Sequence, residues 1–214
     1  MGMNNLPLRH IPLILFNLLP LVLIIDGHWR PFDALAFYWL ELIAVGVYCT
    51  LGNIISAIYH FTHKRIGAGI AHLLGTLFFP VHFGFFIVML CFLVGSFLPE
   101  GTPTRPLTSP LVPLYVVIEN MPFFEMLPIV MCWQCFVFIT RFIIVGKYKS
   151  EAPVFVISAY GSLAILFVSA FFGVVIGMST DSRIWGAVIL VAIKTIIALI
   201  VAYRQREQGP VTTA

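Results

Sequence analysis

The stretch AFYWLELIAVG, residues 36–46, is apolar except for one carboxyl group, that of Glu41. It lies within an apolar run over residues 35–59, which is long enough for a helix to cross the hydrocarbon layer of a membrane, about 30 Å thick. An ionisable group inside such a helix costs roughly 2.5–3.5 kcal/mol on insertion scales and usually faces protein or a water-filled cavity. The stretch therefore predicts a membrane-spanning helix whose polar group points into a helix bundle.

The composition of the whole chain indicates a lipid environment. Of its 214 residues, 60% are hydrophobic and only 10% are charged, and the mean hydropathy is +1.02. A soluble domain has about 25% charged residues, so this chain has too few polar groups to cover a surface in water. The composition excludes the soluble enzyme classes, and the net charge of +3 indicates no nucleic-acid partner.

Six apolar runs predict an all-α fold, a polytopic membrane helix bundle that forms a single integral membrane domain over residues 1–214. We place the spans at residues 11–25, 35–59, 75–98, 123–145, 154–177 and 184–203, with residues 66–74 at the interface before the third span. The first run follows a basic residue, as in a signal peptide, but no small-residue cleavage site follows it. We therefore interpret it as a retained span.

A proline-rich outer loop is predicted at residues 99–122, between the third and fourth spans. Proline lacks a backbone N–H and disfavours helix at the residue before it. The apolar segment LVPLYVVI within this loop is too short to cross the membrane. It predicts an interfacial or re-entrant segment on the extracytoplasmic side.

The distribution of lysine and arginine predicts the orientation, because cytoplasmic loops carry an excess of basic residues. With the N-terminus in the cytoplasm, the outer side holds Arg30, Arg105 and Arg183. The cytoplasmic side then holds Arg9, Lys64, Arg65, Lys147, Lys149, Arg204 and Arg206. The sequence thus predicts a protein integral to a cytoplasmic (bacterial inner) membrane, with both termini in the cytoplasm.

Several polar or aromatic side chains within the predicted spans are candidate site residues: Glu41, His82, Lys194, Glu125, Tyr38 and Trp39. Helical spacing places Glu41 on a stripe of small, hydroxyl-bearing and aromatic residues, which suit contact between membrane helices. The stripe consists of Tyr38, Glu41, Val45, Tyr48, Gly52, Ser56 and Tyr59. We therefore expect Glu41 to face the interior of the bundle.

Glu41 and Lys194 lie at comparable depth from the same side of the membrane, so an ion pair between them is geometrically feasible. Desolvation offsets much of the attraction in such a pair. One interpretation is that Glu41 fixes helix packing as a paired or protonated carboxyl group. The alternative is that it serves in a proton relay, in ligand contact or in metal ligation.

The histidines offer candidate metal ligands. His82, in FFPVHFGFF, is the best candidate for an axial ligand of haem iron or chlorophyll magnesium; the alternative is a hydrogen bond to a neighbouring helix. His60 and His63 are spaced as in many metal-binding pairs, but they lie at the membrane interface, where histidine is common, and are weak candidates. The sequence requires no cofactor and assigns no catalytic residue.

Cys132 and Cys135 form a CxxC motif, CWQC. Redox-active motifs of this type lie at helix N-termini, where the thiol is activated. This one lies inside a predicted span, which favours a packing role over redox chemistry.

Several of these motifs resemble those of a family of uncharacterised bacterial and archaeal multi-pass membrane proteins with a YWxEN-like motif in an early span. The matching residues are Tyr38, Trp39 and Glu41 for that motif, His82 and Gly84 for an HxG motif, residues 146–153 for a short basic connection, Tyr160 for a later tyrosine, and Lys194 with Thr195 for the start of the last motif. The resemblance covers most of the chain and implies a multi-pass membrane fold.

The family pattern is present in a degenerate form. Leu42 stands where the family has asparagine, and Ser162 replaces an arginine. The acidic residue and the later histidines of the family pattern are also absent. The resemblance therefore implies that any polar or metal-binding centre of the family is mostly lost here, with Glu41, His82 and Lys194 as remnants.

The function predicted from the sequence is that of a non-catalytic accessory or structural subunit of a larger membrane complex, of respiratory or photosynthetic type. Its expected partners are membrane lipids, pigments and the helices of other integral membrane subunits. One alternative is a membrane-embedded metal- or haem-dependent enzyme. Another is a small proton-coupled transporter that uses Glu41 and Lys194.

Overall fold

The computed structural model describes residues 11–95, 112–151, 154–180 and 182–207, and across these ranges the chain forms helices and turns without any strand. The α-helices are α1 (Ile11–Ile25), α2 (Pro31–Thr62), α3 (Ile66–Gly95), α4 (Val112–Asn120), α5 (Phe123–Phe138), α6 (Val154–Ser179) and α7 (Arg183–Glu207). A π-helical segment, Ile139–Ile143, continues α5, and a 3-10 turn, Lys147–Lys149, follows it. The all-α fold class is confirmed.

Within the described residues, five helical segments are long and apolar enough to cross a membrane: Pro31–Thr62, Ile66–Cys91, Phe123–Ile143, Ala159–Gly177 and Ile184–Val201. The first helix, α1, is apolar but has only 15 residues. Residues 66–74, predicted to lie at the interface, belong to the same continuous helix as the third span. The helix α2 extends beyond both boundaries of the predicted second span, residues 35–59.

Arg30 and Asp33 determine where α2 begins. The Asp33 carboxylate accepts a hydrogen bond from the backbone N–H of Arg30 at 2.7 Å and two from its guanidinium group at 3.0 and 3.1 Å. Pro31 occupies the first helical position, where a missing N–H breaks no hydrogen bond. Arg30 also donates to the backbone carbonyl of Asn120, at the end of α4. These contacts start the helix at Pro31 rather than at residue 35.

The second helix is central to the bundle, because α2 packs along α3 and also contacts α5, α6 and α7. On the predicted inward stripe, Tyr38, Gly52 and Ser56 are buried, but Cys49 and Asn53 beside it are buried as well. The buried face of α2 therefore includes part of the stripe without coinciding with it.

Small residues bring α6 and α7 close together. A Cβ atom on Gly173 would lie 2.9 Å from the backbone oxygen of Gly186 and 3.3 Å from the Cβ atom of Leu190. Glycine at such a position allows two membrane helices to approach at backbone distance. The contact fixes α7, and with it Lys194, against the rest of the bundle.

Most of the predicted outer loop, residues 99–122, lies outside the described residues. Its described part is α4, whose nine residues are too few to cross a membrane. Val116 and Val117 are buried, and α4 packs against α3. The interfacial or re-entrant character of this segment stays a prediction.

Candidate functional site: an intramembrane polar centre

An ion pair joins α2 and α7 inside the bundle. Lys194 Nζ lies 2.6 Å from Glu41 Oε2, and the two side chains are only 10% and 15% exposed. Glu41 lies about 15 Å along the helix axis from the start of α2, at a rise of 1.5 Å per residue, and Lys194 lies at a similar distance from the start of α7. The structure thus brings together two groups that the sequence places at comparable depth.

Two further side chains surround the ammonium group of Lys194. Its Nζ donates a hydrogen bond to Asn17 Oδ1 at 2.7 Å and lies 3.9 Å from the centroid of the Tyr38 ring, in a cation–π contact. The Tyr38 hydroxyl donates to the backbone carbonyl of Asn17, and Asn17 Nδ2 donates to the carbonyl of Leu13 at 2.8 Å. The ammonium group therefore lies between a carboxylate, an amide oxygen and an aromatic face.

The second oxygen of the Glu41 carboxylate is bound from α5. Gln134 Nε2 donates to Glu41 Oε1 at 3.2 Å. Next to it, the Trp133 ring stacks on Phe16 of α1, with ring centroids 4.6 Å apart and planes 13° apart. We call Asn17, Tyr38, Glu41, Gln134 and Lys194 the polar centre; together they join α1, α2, α5 and α7.

The polar centre has balanced charge and matched hydrogen bonds. Each Glu41 oxygen accepts from a donor on another helix, and Lys194 donates to two acceptors. A buried ion pair is tolerated when further hydrogen bonds satisfy its remaining polar atoms. The arrangement can hold four helices in register, and it also places a proton donor and a proton acceptor in direct contact.

The other candidate residues on the helices lie outside the polar centre. Trp39 is buried and donates from Nε1 to the backbone carbonyl of Ile87 at 3.1 Å, which ties α2 to α3. Glu125 is exposed in the first turn of α5, where a carboxylate interacts favourably with the helix dipole. His82 lies on an exposed face of α3 and is bonded to the Tyr160 hydroxyl.

A second polar cluster forms where the turn before α6 meets α2 and α3. His60 Nε2 and His72 Nε2 lie 2.9 and 3.0 Å from the backbone oxygen of Ser150, and the two imidazole rings stack 5.4 Å apart. A carbonyl oxygen only accepts, so both Nε2 atoms carry hydrogen. In neutral His72, Nδ1 is then an acceptor. The Asn53 amide is therefore best oriented with its Nδ2 toward this nitrogen. In that orientation Asn53 Nδ2, a buried donor that otherwise has no partner, donates to His72 Nδ1.

The pairing of His60 with His63 as a metal site is not what the structure shows. His60 is buried and bonds to Ser150, whereas His63 is exposed and bonds through Nδ1 to the backbone carbonyl of Tyr59 at 2.8 Å. The helix ends at Thr62, so His63 leaves the face that His60 occupies. Within the four described ranges, no group of three or more His, Cys, Asp or Glu side chains is placed to hold a metal ion.

In the CWQC motif, Gln134 belongs to the polar centre and Trp133 stacks on Phe16 beside it, while Cys132 is exposed. We expect Gln134→Leu to lower the free energy of unfolding by about 1–2 kcal/mol, because it removes a hydrogen bond to a carboxylate inside the bundle. Cys132→Ala, on the same helix, should leave it unchanged. Thermal unfolding of the purified variants in detergent measures both, and equal losses would contradict the assigned role of Gln134.

Four side chains of these clusters were not predicted from the sequence: Asn17, Gln134, Asn53 and His72. The first two are single amide side chains inside apolar runs, LILFNLLPL and MCWQCFV. Amides in such runs carry the same signal as charged groups, because they too need partners in lipid. The sequence around His72 contains no pattern that indicates its contact with His60.

Of the comparisons with known proteins, one finds a match. No curated protein and no solved structure matches this chain significantly. The sequence model of one protein family, described as a family of unknown function, matches residues 5–214, almost the entire length. The match agrees with the prediction that the chain belongs to a family whose function is not known. The chain therefore belongs to the family of unknown function DUF6498.

Proposed function

We propose that the chain is a non-catalytic accessory subunit of a larger membrane protein complex, which acts by packing against partner helices and lipids. The observation that carries this proposal is the closed polar centre. A group that acts on a substrate must be reachable, whereas Glu41 and Lys194 are mostly buried and bonded to side chains of their own chain. Such a centre stabilises a particular helix arrangement, which suits a scaffold.

The exposed surface of α3 supports the part of the proposal that concerns packing against partner helices and lipids. Of the five helices that could span a membrane, α3 is the one least covered by the rest of the chain. Its exposed side chains include Leu77, Phe78, Val81 and Phe85. Large aromatic and aliphatic side chains provide extensive contact area, so this face suits partner helices as well as lipid.

We retain a six-span topology with both termini in the cytoplasm as part of the proposal. The shared contact of His60 and His72 with Ser150 supports it, because it places the turn after α2 and the turn before α6 at the same end of the bundle. Both turns contain the lysines expected on the cytoplasmic side. The short α1 spans only about 22 Å, and local thinning of the bilayer can accommodate that length.

Purification from native membranes in mild detergent tests the proposal. We expect the chain to migrate in a defined assembly much larger than 23.9 kDa, with partner membrane proteins identified by mass spectrometry. A photo-crosslinking residue at Val81, on the exposed face of α3, should label one of these partners. The same residue at position 125, in place of the exposed Glu125 in the first turn of α5, serves as the matched control.

A proton-coupled transporter is the second candidate, favoured by the 2.6 Å contact between Lys194 and Glu41 at membrane depth. A single chain without partners would count against the subunit proposal. Proton uptake by proteoliposomes that is lost in Glu41→Gln and kept in Glu125→Gln would replace it with the transporter.

A further inference from the structure

His82 lies on the exposed surface of α3 at membrane depth. Along α3 it lies about 15 Å from His72, whose hydrogen bond to the Ser150 carbonyl is at one end of the bundle. The side chain is exposed, so the rest of the described chain does not cover it. A polar nitrogen without a partner is costly in hydrocarbon, where neither water nor lipid tails can bond to it. An exposed imidazole nitrogen at this depth therefore needs a partner from outside the described residues.

The two ring nitrogens of His82 have different surroundings. Nδ1 is bonded to the hydroxyl group of Tyr160, whereas Nε2 has no hydrogen-bond partner among the described residues. The proposed site uses the tautomer in which Nδ1–H donates to the hydroxyl oxygen, which leaves a free lone pair on Nε2. This arrangement is typical of metal-ligating histidines, in which the second nitrogen is held by a hydrogen bond that fixes the tautomer and the ring orientation.

Tyr160 is itself held in place. Its ring makes edge contacts with Phe79 and Phe83, at centroid distances of 5.7 and 5.8 Å, and both phenylalanines are buried. The hydroxyl group thus reaches His82 from a packed position, so the orientation of the imidazole is determined by the core of the bundle.

Aromatic rings flank His82 one helical turn away on either side. Phe78 stacks on the imidazole at 5.0 Å, and Phe86 meets it edge-on at 5.2 Å; their exposed fractions are 65% and 39%. A bare metal ion needs several protein ligands, and the described chain places no group of three such side chains together. One imidazole between exposed aromatic rings fits a metal that brings its other ligands with it in a flat, apolar ring.

We propose that His82 is an axial ligand for the metal of a tetrapyrrole, such as haem or a magnesium chlorin, bound on the exposed face of α3. Tyr160 is a positioning residue that orients the imidazole, and Phe78 and Phe86 pack against the ring system. The site goes beyond the subunit function, because it belongs to this chain alone and does not require a partner protein.

Titration of the purified full-length chain in detergent with ferric protoporphyrin IX, and separately with zinc protoporphyrin IX, tests the site. The zinc compound takes a single axial ligand and stands in for a magnesium chlorin. We expect a shifted Soret band that saturates at about one ring per chain with at least one probe, and the responding probe distinguishes the iron from the magnesium type. His82→Ala should abolish the shift, and Tyr160→Phe should weaken binding about tenfold.

His63→Ala is the matched control, because His63 is an exposed histidine outside the site; it should bind as the unaltered chain does. In His82→Gly, added imidazole should restore the band, which separates loss of the ligand from loss of the fold. Equal binding by His82→Ala, or no saturable binding with either probe, would overturn the proposal. So would a partner protein whose association depends on His82 while neither probe binds.

Discussion

Replacing Lys194 with methionine is expected to lower the free energy of unfolding by about 3–5 kcal/mol. The substitution leaves the Glu41 carboxylate inside the bundle without its counter-ion, and it also removes the donor to Asn17 and the cation–π contact with Tyr38. Glu41→Gln should also destabilise the protein, because it leaves the ammonium group without its counter-ion. Reversible unfolding of the purified protein in mixed micelles measures both changes.

The double variant Glu41→Gln, Lys194→Met is the decisive one. Because it removes both charges, its loss should be smaller than the sum of the two single losses by about 1–3 kcal/mol. Glu125→Gln and Lys149→Met alter exposed groups near the helix ends, and each should change stability by less than about 0.5 kcal/mol. Additive effects of Glu41→Gln and Lys194→Met would show that the two groups do not stabilise the fold as a pair.

Adding one methyl group at Gly173 is expected to loosen the packing of α6 on α7. The new Cβ atom would lie 2.9 Å from the backbone oxygen of Gly186, and a backbone atom cannot move without displacing the whole helix. We expect Gly173→Ala to lower the free energy of unfolding by about 1–3 kcal/mol and Gly173→Val to lower it further. The midpoint of thermal unfolding in detergent reports the change.

Gly161, on the same helix, provides a control in which the expected change in stability has the opposite sign. A Cβ atom there meets no other heavy atom within 4 Å. Gly161→Ala should therefore stabilise the helix, by up to about 1 kcal/mol, through the better helix propensity of alanine. If both substitutions had the same effect, close approach of the helices at Gly173 would not be the cause.

The sequence was informative where physical rules act within a single helix. Periodicity along α2 predicted that the face of Glu41 points inward, and the buried Gly52 and Ser56 agree. The cost of an uncompensated charge in lipid made Glu41 and Lys194 candidates, and depth alone suggested that they could pair. The predicted span begins at residue 35, whereas the helix that contains it begins at Pro31, where the interaction of Arg30 with Asp33 starts the helix.

Contacts between distant helices could not be derived from the sequence in the same way. The partners of Asn17 and Gln134 are defined only once α1 and α5 are placed beside α2, since several rotations of those helices satisfy the same apolar pattern. His60 was grouped with His63, its neighbour in sequence, whereas its ring stacks on His72 of the next helix. Such pairings depend on how the helices pack, which local spacing does not encode.

The order of the two charges along the chain has a consequence for biosynthesis. Glu41 and Lys194 are 153 residues apart, and the lysine is on α7, the last of the helices that the structure describes. At a translation rate of about 5–20 residues per second, Glu41 emerges roughly 8–30 s before its counter-ion exists. During that interval the Glu41 carboxyl group lacks the ammonium partner that it has in the folded chain. The polar centre therefore cannot close until α7 has been made, so its formation is timed by this late helix.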